Sequence, residues 1–488
     1  SSARKDDAAY KAMVRRKLAF DHVIKDIHIP LSDWEGNISL QPFPIVLPHL
    51  LAHKLISCGY SEQCLGQGSD RYWKLTQEEF GISRPGPPNC PAIGLQLFGD
   101  EAQIQGTSYM ALHWSSEQSP YWSKAKRSKF LIALVPQNFY AMREQVNMTL
   151  QSVLEAVVES INDWTDNGVD GLYAKVATCK GDWKYLVQSL NLKRKPTTNR
   201  ICFLCMASKD MERPLTDLSP EALWRVDVPT EPWSEEPVLL KLHDSTLSHM
   251  AIDLLHVWFL GVKERLRAAS RQIVQWSRHG LKKLPKHWVL NRFRLSLTSQ
   301  KFCHLTGKGW HTDVVLRFLE TFLQRPDVIC DDVVKTTVWS AVNVIDVLFA
   351  SRRDHGLFME EQDIQQVRAV GSIFCSSYLQ CHQSYIGFCP YYMFNIRPKF
   401  HLYVHLLDST LRRKNPLVGA TWLDESWISD IMTIASKTHK KKTFSSTLQR
   451  YLAGRAQATL FFFSVFLLSS LQDSKLSWSS CCVGASVG

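Results

Sequence analysis

The sequence has few long uninterrupted apolar runs. The most pronounced one, residues 460–471 (LFFFSVFLLSSL), falls short of the roughly 20 residues that a spanning helix takes. Residues 1–20 are charged and hold no apolar signal-peptide core. Neither a membrane partner nor secretion is therefore expected. The 13 cysteines show no regular spacing, and a chain of 488 residues needs no disulfide framework. They read as thiols of a reducing compartment, most of them small core residues. The sequon Asn147-Met-Thr149 is then a chance match. No internal repeat and no long low-complexity segment stands out, which argues against solenoids and biased linkers. Charged residues make up only 21% against 45% apolar, which excludes global disorder.

What is present suits two to four domains, or one domain carrying a large insertion. The net charge of +11 and a pI near 9.0 permit a polyanionic partner such as nucleic acid without requiring one. The chain divides by pattern. Residues 1–90 read as a helical and irregular region, with a basic helix over 1–26 and prolines at 42, 44 and 48. Residues 91–209 alternate strands and helices. The apolar patterns predict strands at 92–98, 106–115, 129–136, 171–178 and 200–206, and helices at 146–164 and 183–190. Residues 210–400 open with a Pro-rich, acidic connector and continue with helical periodicity at 247–269, 312–323, 332–350 and 360–379. Residues 401–455 hold a further helix at 421–436, and 456–488 form an apolar tail with the look of an aberrant end. The chain begins with Ser, which reads as a processed or missing N-terminus. The element order predicts an α/β fold of ribonuclease-H-like type: a mixed sheet interrupted by a large all-helical insertion.

Two aspartates stand at matching places. Asp100 ends the first predicted strand and Asp182 follows the fourth. In a ribonuclease-H-like sheet these strands are neighbours, so the two carboxylates would lie side by side. A third acid must come from a later helix, and TWLDESW offers Glu425, with Asp424 as its rival. Phosphodiester cleavage uses such a set to hold two divalent cations about 3.5–4 Å apart, and Mg²⁺ or Mn²⁺ prefers carboxylate oxygen. The competing expectation is that each aspartate merely caps a turn or helix. Cys202-Phe-Leu-Cys205 and His401-Leu-Tyr-Val-His405 make a second set, two thiols from a tight turn and two imidazoles from one helix face. Together they suit a structural Zn²⁺, although each pair alone reads equally as core or surface residues. Asp253-Leu-Leu-His256 is an accessory candidate, with His256 approaching a phosphate or supporting the acids.

These residues together resemble eukaryotic cut-and-paste DDE transposases, in particular the CACTA, Transib and hAT group that includes the transposon-derived antigen-receptor recombinase. The resemblance covers roughly residues 90–445 and rests on GDWKYL, ICFLC, RPKFHLYVH and NPLVGATWLDESW as well as on the acids. It implies catalysis by Asp100, Asp182 and Glu425 and a place for Asp253 and His256 in a Cys/Asp-x2-His signature. It also implies structural zinc on Cys202, Cys205, His401 and His405. DNA, specifically transposon ends, would be the partner, with self-association and a nuclear site. No end-binding domain is recognisable before residue 90. DNA phosphates would meet the basic clusters Lys193-Arg194-Lys195, Arg412-Arg413-Lys414 and Lys440-Lys441-Lys442, and a further cluster stands at Arg15-Arg16-Lys17. Trp183, Trp422 and Trp427 lie near the acids and read first as packing residues. Two other readings stand beside the enzyme: a catalytically inactive, transposase-derived DNA-binding protein, and a zinc-stapled helical interaction protein.

Overall fold

Alternating apolar residues of the 91–181 region pair into one mixed five-stranded sheet. In the computed structural model, residues 21–120, 128–262, 294–296, 304–306, 309–326, 331–385, 394, 396–438 and 443–455 are described. A hairpin of β1 (Ile24–Ser32) and β2 (Ile38–Val46) comes first, followed by helices α1 (Pro48–Ser57), α2 (Ser61–Leu65) and α3 (Asp70–Phe80). The sheet strands are β3 (Ala92–Ile104), β4 (Thr107–Ser116), β5 (Lys129–Pro136), β6 (Tyr173–Gly181) and β7 (Met250–Ala251). Their order is β5-β4-β3-β6-β7, antiparallel from β5 to β3 and parallel from β3 through β6 to β7. Gln105 and Gly106 turn β3 into β4 with φ of 49° and 82°, the two left-handed residues that a tight hairpin requires. The fold is thus mixed α/β.

Helix α4 (Met148–Asn167) crosses from β5 to β6 and buries Leu150, Val153, Leu154, Val157 and Ile161 against the sheet. Beyond α5 (Trp183–Ser189) the chain leaves the sheet. A second apolar cluster joins α6 (Gly309–Leu323), α7 (Asp332–His355), α8 (Glu361–Tyr385) and α9 (Pro398–Ser409) to the loop holding Cys202 and Cys205. Helix α7 is long and apolar enough to cross a membrane, but that face packs into this cluster. Helix α10 (Trp422–Ala435) returns to the sheet through Trp427, Ile428 and Ile431, and Leu448, Tyr451 and Leu452 pack beside it.

Several expectations are corrected. Strand β3 does not end at Asp100 but runs to Ile104, because β4 continues to pair with it. Its ladder to β6 stops at Gly99↔Gly181, so Asp100 sits where β6 departs. Residues 200–206 form no strand; Met250–Ala251 is the fifth, two residues too short to show alternation. The 247–269 helix is instead a 3₁₀ turn, strand β7 and a π-helical segment at Leu255–Val262, after which residues 263–269 lie outside the described residues. Of the basic helix at 1–26, residues 1–20 lie outside the described residues and 24–26 belong to β1. Pro42 and Pro44 are carried by β2, whose sheet has β1 alone as partner, the edge position that proline tolerates. The tail at 456–488 also lies outside the described residues.

Gly99 and Gly181 precede the two candidate aspartates for a steric reason. The ring of Tyr185, from the first turn of α5, covers both. A Cβ on Gly181 would lie 2.3 Å from Tyr185 Cδ1 and 2.6 Å from the Gly99 carbonyl oxygen, and one on Gly99 would lie 2.1 Å from Tyr185 Cε2. Gly181→Ala is expected to cost about 1–3 kcal/mol through overpacking, read as a lowered midpoint of thermal unfolding. An unchanged midpoint would mean that the Tyr185 ring is free to move aside.

Candidate functional site

Cys202 and Cys205 lie in the loop beyond α5, and His401 and His405 stand one turn apart on α9. Their four ligand atoms all fall within 4.8 Å of one another. Cys205 Sγ is 3.2 Å from Nε2 of both histidines, Cys202 Sγ is 3.5 Å from His405 Nε2, and the two Nε2 atoms are 3.1 Å apart. Tetrahedral zinc, with bonds of about 2.3 Å to sulfur and about 2.0–2.1 Å to nitrogen, spaces its ligands by roughly 3.3–3.8 Å. The set can therefore hold a metal such as zinc with little movement. The N–H groups of Leu204 and Ala207 donate to the Cys202 and Cys205 sulfurs, each at 3.4 Å. Burial alone would raise the Cys202 thiol. The proton donated by Cys205, with the two imidazoles alongside, carries it well below its ordinary range instead. That same bond, and then burial, holds the Cys205 thiol up. A cation in place of the shared proton would let both ionise.

Arg194 was expected on a DNA-facing surface and is found inside. Its side chain donates to the carbonyls of both Cys202 and Cys205, the latter at 2.8 Å, and so fastens the ligand turn. Burial lowers its pKa while the neighbouring thiols raise it, so the guanidinium is the positive charge beside the sulfurs. Trp224 sets its ring edge-on to His401 and His405, at centroid distances of 4.5 and 5.4 Å. Neither Arg194 nor Trp224 carried a sequence signal for this role, because both are remote in sequence from the histidines.

On the sheet, pairing of Gly99 with Gly181 places Asp100 and Asp182 at adjacent positions. Asp182 is the N-cap of α5, its Oδ1 accepting from the Tyr185 N–H at 2.7 Å. The cap reading and the acid reading are thus compatible. Asp100 Oδ1 accepts from the Glu101 N–H at 2.7 Å. Glu425, in the first turn of α10, has Oε1 3.5 Å from His256 Nε2. The other nitrogen of His256 meets Asp253, which also accepts from the N–H groups of Leu255 (2.8 Å) and Thr421 (3.1 Å) and the Thr421 hydroxyl (2.5 Å). Asp253 thereby ties the π-helical segment to the start of α10. A cavity of 90 Å³ lies among Asp182, Trp183, Asp253, His256 and Lys399, with Phe203 of the cysteine turn in its wall.

Electrostatics mark the acids as a group. Burial first, then the charges of Asp182 and Glu425, push Asp100 up to about 7 against the opposing His256. Burial raises Asp182 as well. Burial would lower His256, but its bond to Asp253 and the charges of Asp253, Glu425 and Asp100 push it up to about 9. Among the described residues, only the Cys–His set brings three or more ligating side chains within closed reach. The acids meet as charged neighbours.

Asp424, the rival of Glu425 in the sequence, is buried and already engaged. It meets Lys129 of β5, lies 3.0 Å from Lys180 Nζ of β6 and has His113 Nε2 of β4 at 3.0 Å, all at most 5% exposed. Burial would raise its carboxyl, but the Lys129 and Lys180 charges hold it well below the usual range.

No known protein family and no curated protein matches the sequence. The remaining candidates divide by exposure. Lys193 is exposed and Lys195 half-buried. Arg412 and Arg413 are exposed at the end of α9, Arg412 over the Phe80 ring and Arg413 Nε 3.6 Å from Glu79. Lys414 turns inward to Glu117 at 2.8 Å. Lys440, Lys441, Lys442 and Arg15-Arg16-Lys17 lie outside the described residues. Trp427 is buried between His113 and Tyr451, and Trp422 stacks on Phe349. Only Trp183 borders the acidic cavity.

Proposed function

We propose that this chain is a transposon-derived DNA transposase or nuclease built on a ribonuclease-H-like core, with the helices between α5 and α10 as its insertion. The observation that carries this reading is the convergence of Asp100, Asp182 and Glu425 around His256. Two acids come from adjacent parallel strands and the third from a helix that returns to the sheet after the helical region. The order β5-β4-β3-β6-β7 supports it.

Asp100, Asp182 and Glu425 would hold Mg²⁺ or Mn²⁺. The donor set is chemically right, since hard cations take carboxylate oxygens and three acids crowd around one histidine. When bound, the ions supply activation of the attacking oxygen and stabilisation of the leaving one. The protein's own part is positional. Asp253 orients His256, and His256, held cationic, presents Nε2 towards Glu425 and an incoming phosphate. Lys193, Arg412 and Arg413 would contribute salt-sensitive phosphate contacts. Zinc on the Cys–His set would staple the loop after α5 to α9. Action on transposon ends as a homo-oligomer in the nucleus belongs to the same proposal.

Asp182→Asn tests it, because asparagine caps a helix as well as aspartate does and so spares the fold. Mg²⁺- or Mn²⁺-dependent nicking of DNA is expected to fall at least about a hundred-fold, the scale of losing a transition-state charge stabiliser, with DNA binding retained. Salt-sensitive binding with no nicking by the unmodified protein would favour the inactive DNA-binding reading. Absence of both would sink the nucleic-acid reading.

A further inference from the structure

A second polar cavity, of 80 Å³, is bordered by Trp422, Leu423 and Asp424 at the start of α10. Strands β3, β4, β5 and β6, the end of α7 and the first turn of α10 line it. Its walls carry three cationic side chains, Lys129, Lys180 and Arg352, and two carboxylates, Glu117 and Asp424. Glu117 is already engaged by Lys414 at 2.8 Å, by Thr178 at 2.6 Å and by Tyr72 at 2.9 Å. Asp424 alone answers two ammonium groups. His113, beside it, adds no negative charge, and burial pushes its pKa down to about 4.

An ammonium has three donors. Lys129 donates to Asp424, and Lys180 to Asp424 and, at 3.5 Å, to the Val418 carbonyl. Among the described residues, two donors of Lys129 and one of Lys180 have no acceptor, although both side chains are at most 5% exposed. Buried charge with unfilled donors is unfavourable. Ser115, Ser116 and Ser128 add small polar groups to the wall, and the backbone N–H groups of Trp422 and Leu423 begin α10 there. Two buried ammonium groups sharing one carboxylate, their spare donors and the polar lining together call for a compact anion with several acceptor oxygens.

We propose that this cavity is a binding site for one free tetrahedral oxyanion of the phosphate class, seated on Lys129, Lys180 and Arg352. The ion would complete the charge balance beneath the first turn of α10 and lock the helix that carries Glu425. The cavity volume of 80 Å³ suits one such ion better than a whole nucleotide.

Equilibrium dialysis of the full chain against radiolabelled inorganic phosphate, at constant ionic strength, tests this directly. One phosphate per chain, bound saturably, is expected. Arg352→Gln and Lys129→Met are each expected to weaken binding at least about ten-fold, the scale of one charge-assisted contact. Arg352→Gln, at the rim, guards against a Lys129 variant that fails to fold. AMP and chloride are expected not to displace the label at equal concentration. No saturable phosphate, equal binding in both variants, or displacement by AMP or chloride would each overturn the proposal.

Discussion

Asp424→Ala is expected to destabilise the protein by about 3–5 kcal/mol, the cost of breaking a buried ion pair and leaving its partners uncompensated. The carboxylate joins three strands to α10: His113 on β4, Lys129 on β5 and Lys180 on β6 all converge on it. Removing it strands two ammonium groups in the core and frees the rotational setting of the helix. Glu425 follows one residue later and owes its direction towards His256 to that setting. Thermal or urea unfolding in phosphate-free buffer gives the direct measure, and a loss below about 1 kcal/mol, the scale of an exposed pair, would show that Lys129 and Lys180 had another counter-charge in the protein. The pH dependence has a defined sign. The folded carboxyl is held well below the ordinary aspartate value of 3.8. Its contribution is present above that value and is lost as pH falls through the depressed folded one. Asp424→Ala should therefore flatten the acid limb of the stability curve.

Stripping metal from the Cys–His set, or replacing Cys205 by Ser, is expected to have the second large effect. Structural zinc binds with about 10–16 kcal/mol in isolated finger peptides, and part of that stabilises whatever the site joins. Here it joins the loop after α5 to α9, two segments about two hundred positions apart in sequence. Purified protein should carry about one zinc per chain. Chelation or Cys205→Ser should remove it, lower the unfolding midpoint and loosen α9. The cavity wall at Phe203 should loosen with it, since this residue lies between the two cysteines and borders Asp182 and His256. Hydrogen exchange over 401–409 reads this out. Full zinc loading of Cys205→Ser, or unaltered exchange after chelation, would show that the four side chains do not act as one ligand set.

Much of the sheet was legible because its strands are nearly continuous apolar runs bounded by turn residues. KFLIALVP stands in the structure with the ends read from the sequence, and AIGLQLF and the 146–164 helix stand with shifted ends. Length was harder to read. Past Gly99, β3 continues through Asp100, Glu101 and Gln103, which no apolar pattern marks, because β4 supplies the hydrogen bonds there. The same limit hid β7, whose two residues have no periodicity to detect, and β2, whose prolines argued against a strand. The repeated Gly-Asp dipeptides at 99–100 and 181–182 were visible, but their shared cause, the Tyr185 ring over both glycines, exists only once β3 and β6 are paired.

The sequence by itself determined which residue types could do chemistry and the local geometry of each pair. Cys-x2-Cys makes a turn that offers two sulfurs, and His-x3-His puts two imidazoles on one helix face, whatever the surroundings. Only the tertiary structure decided what neighbouring residues mean. Asp424 and Glu425 are adjacent in the chain yet part company: one is sealed among Lys129, Lys180 and His113, and the other is turned to His256. Arg194 stands between two lysines in a basic run but turns inward to hold the cysteine turn. Burial and counter-charge are set by segments far away in sequence, and a local pattern carries no record of them.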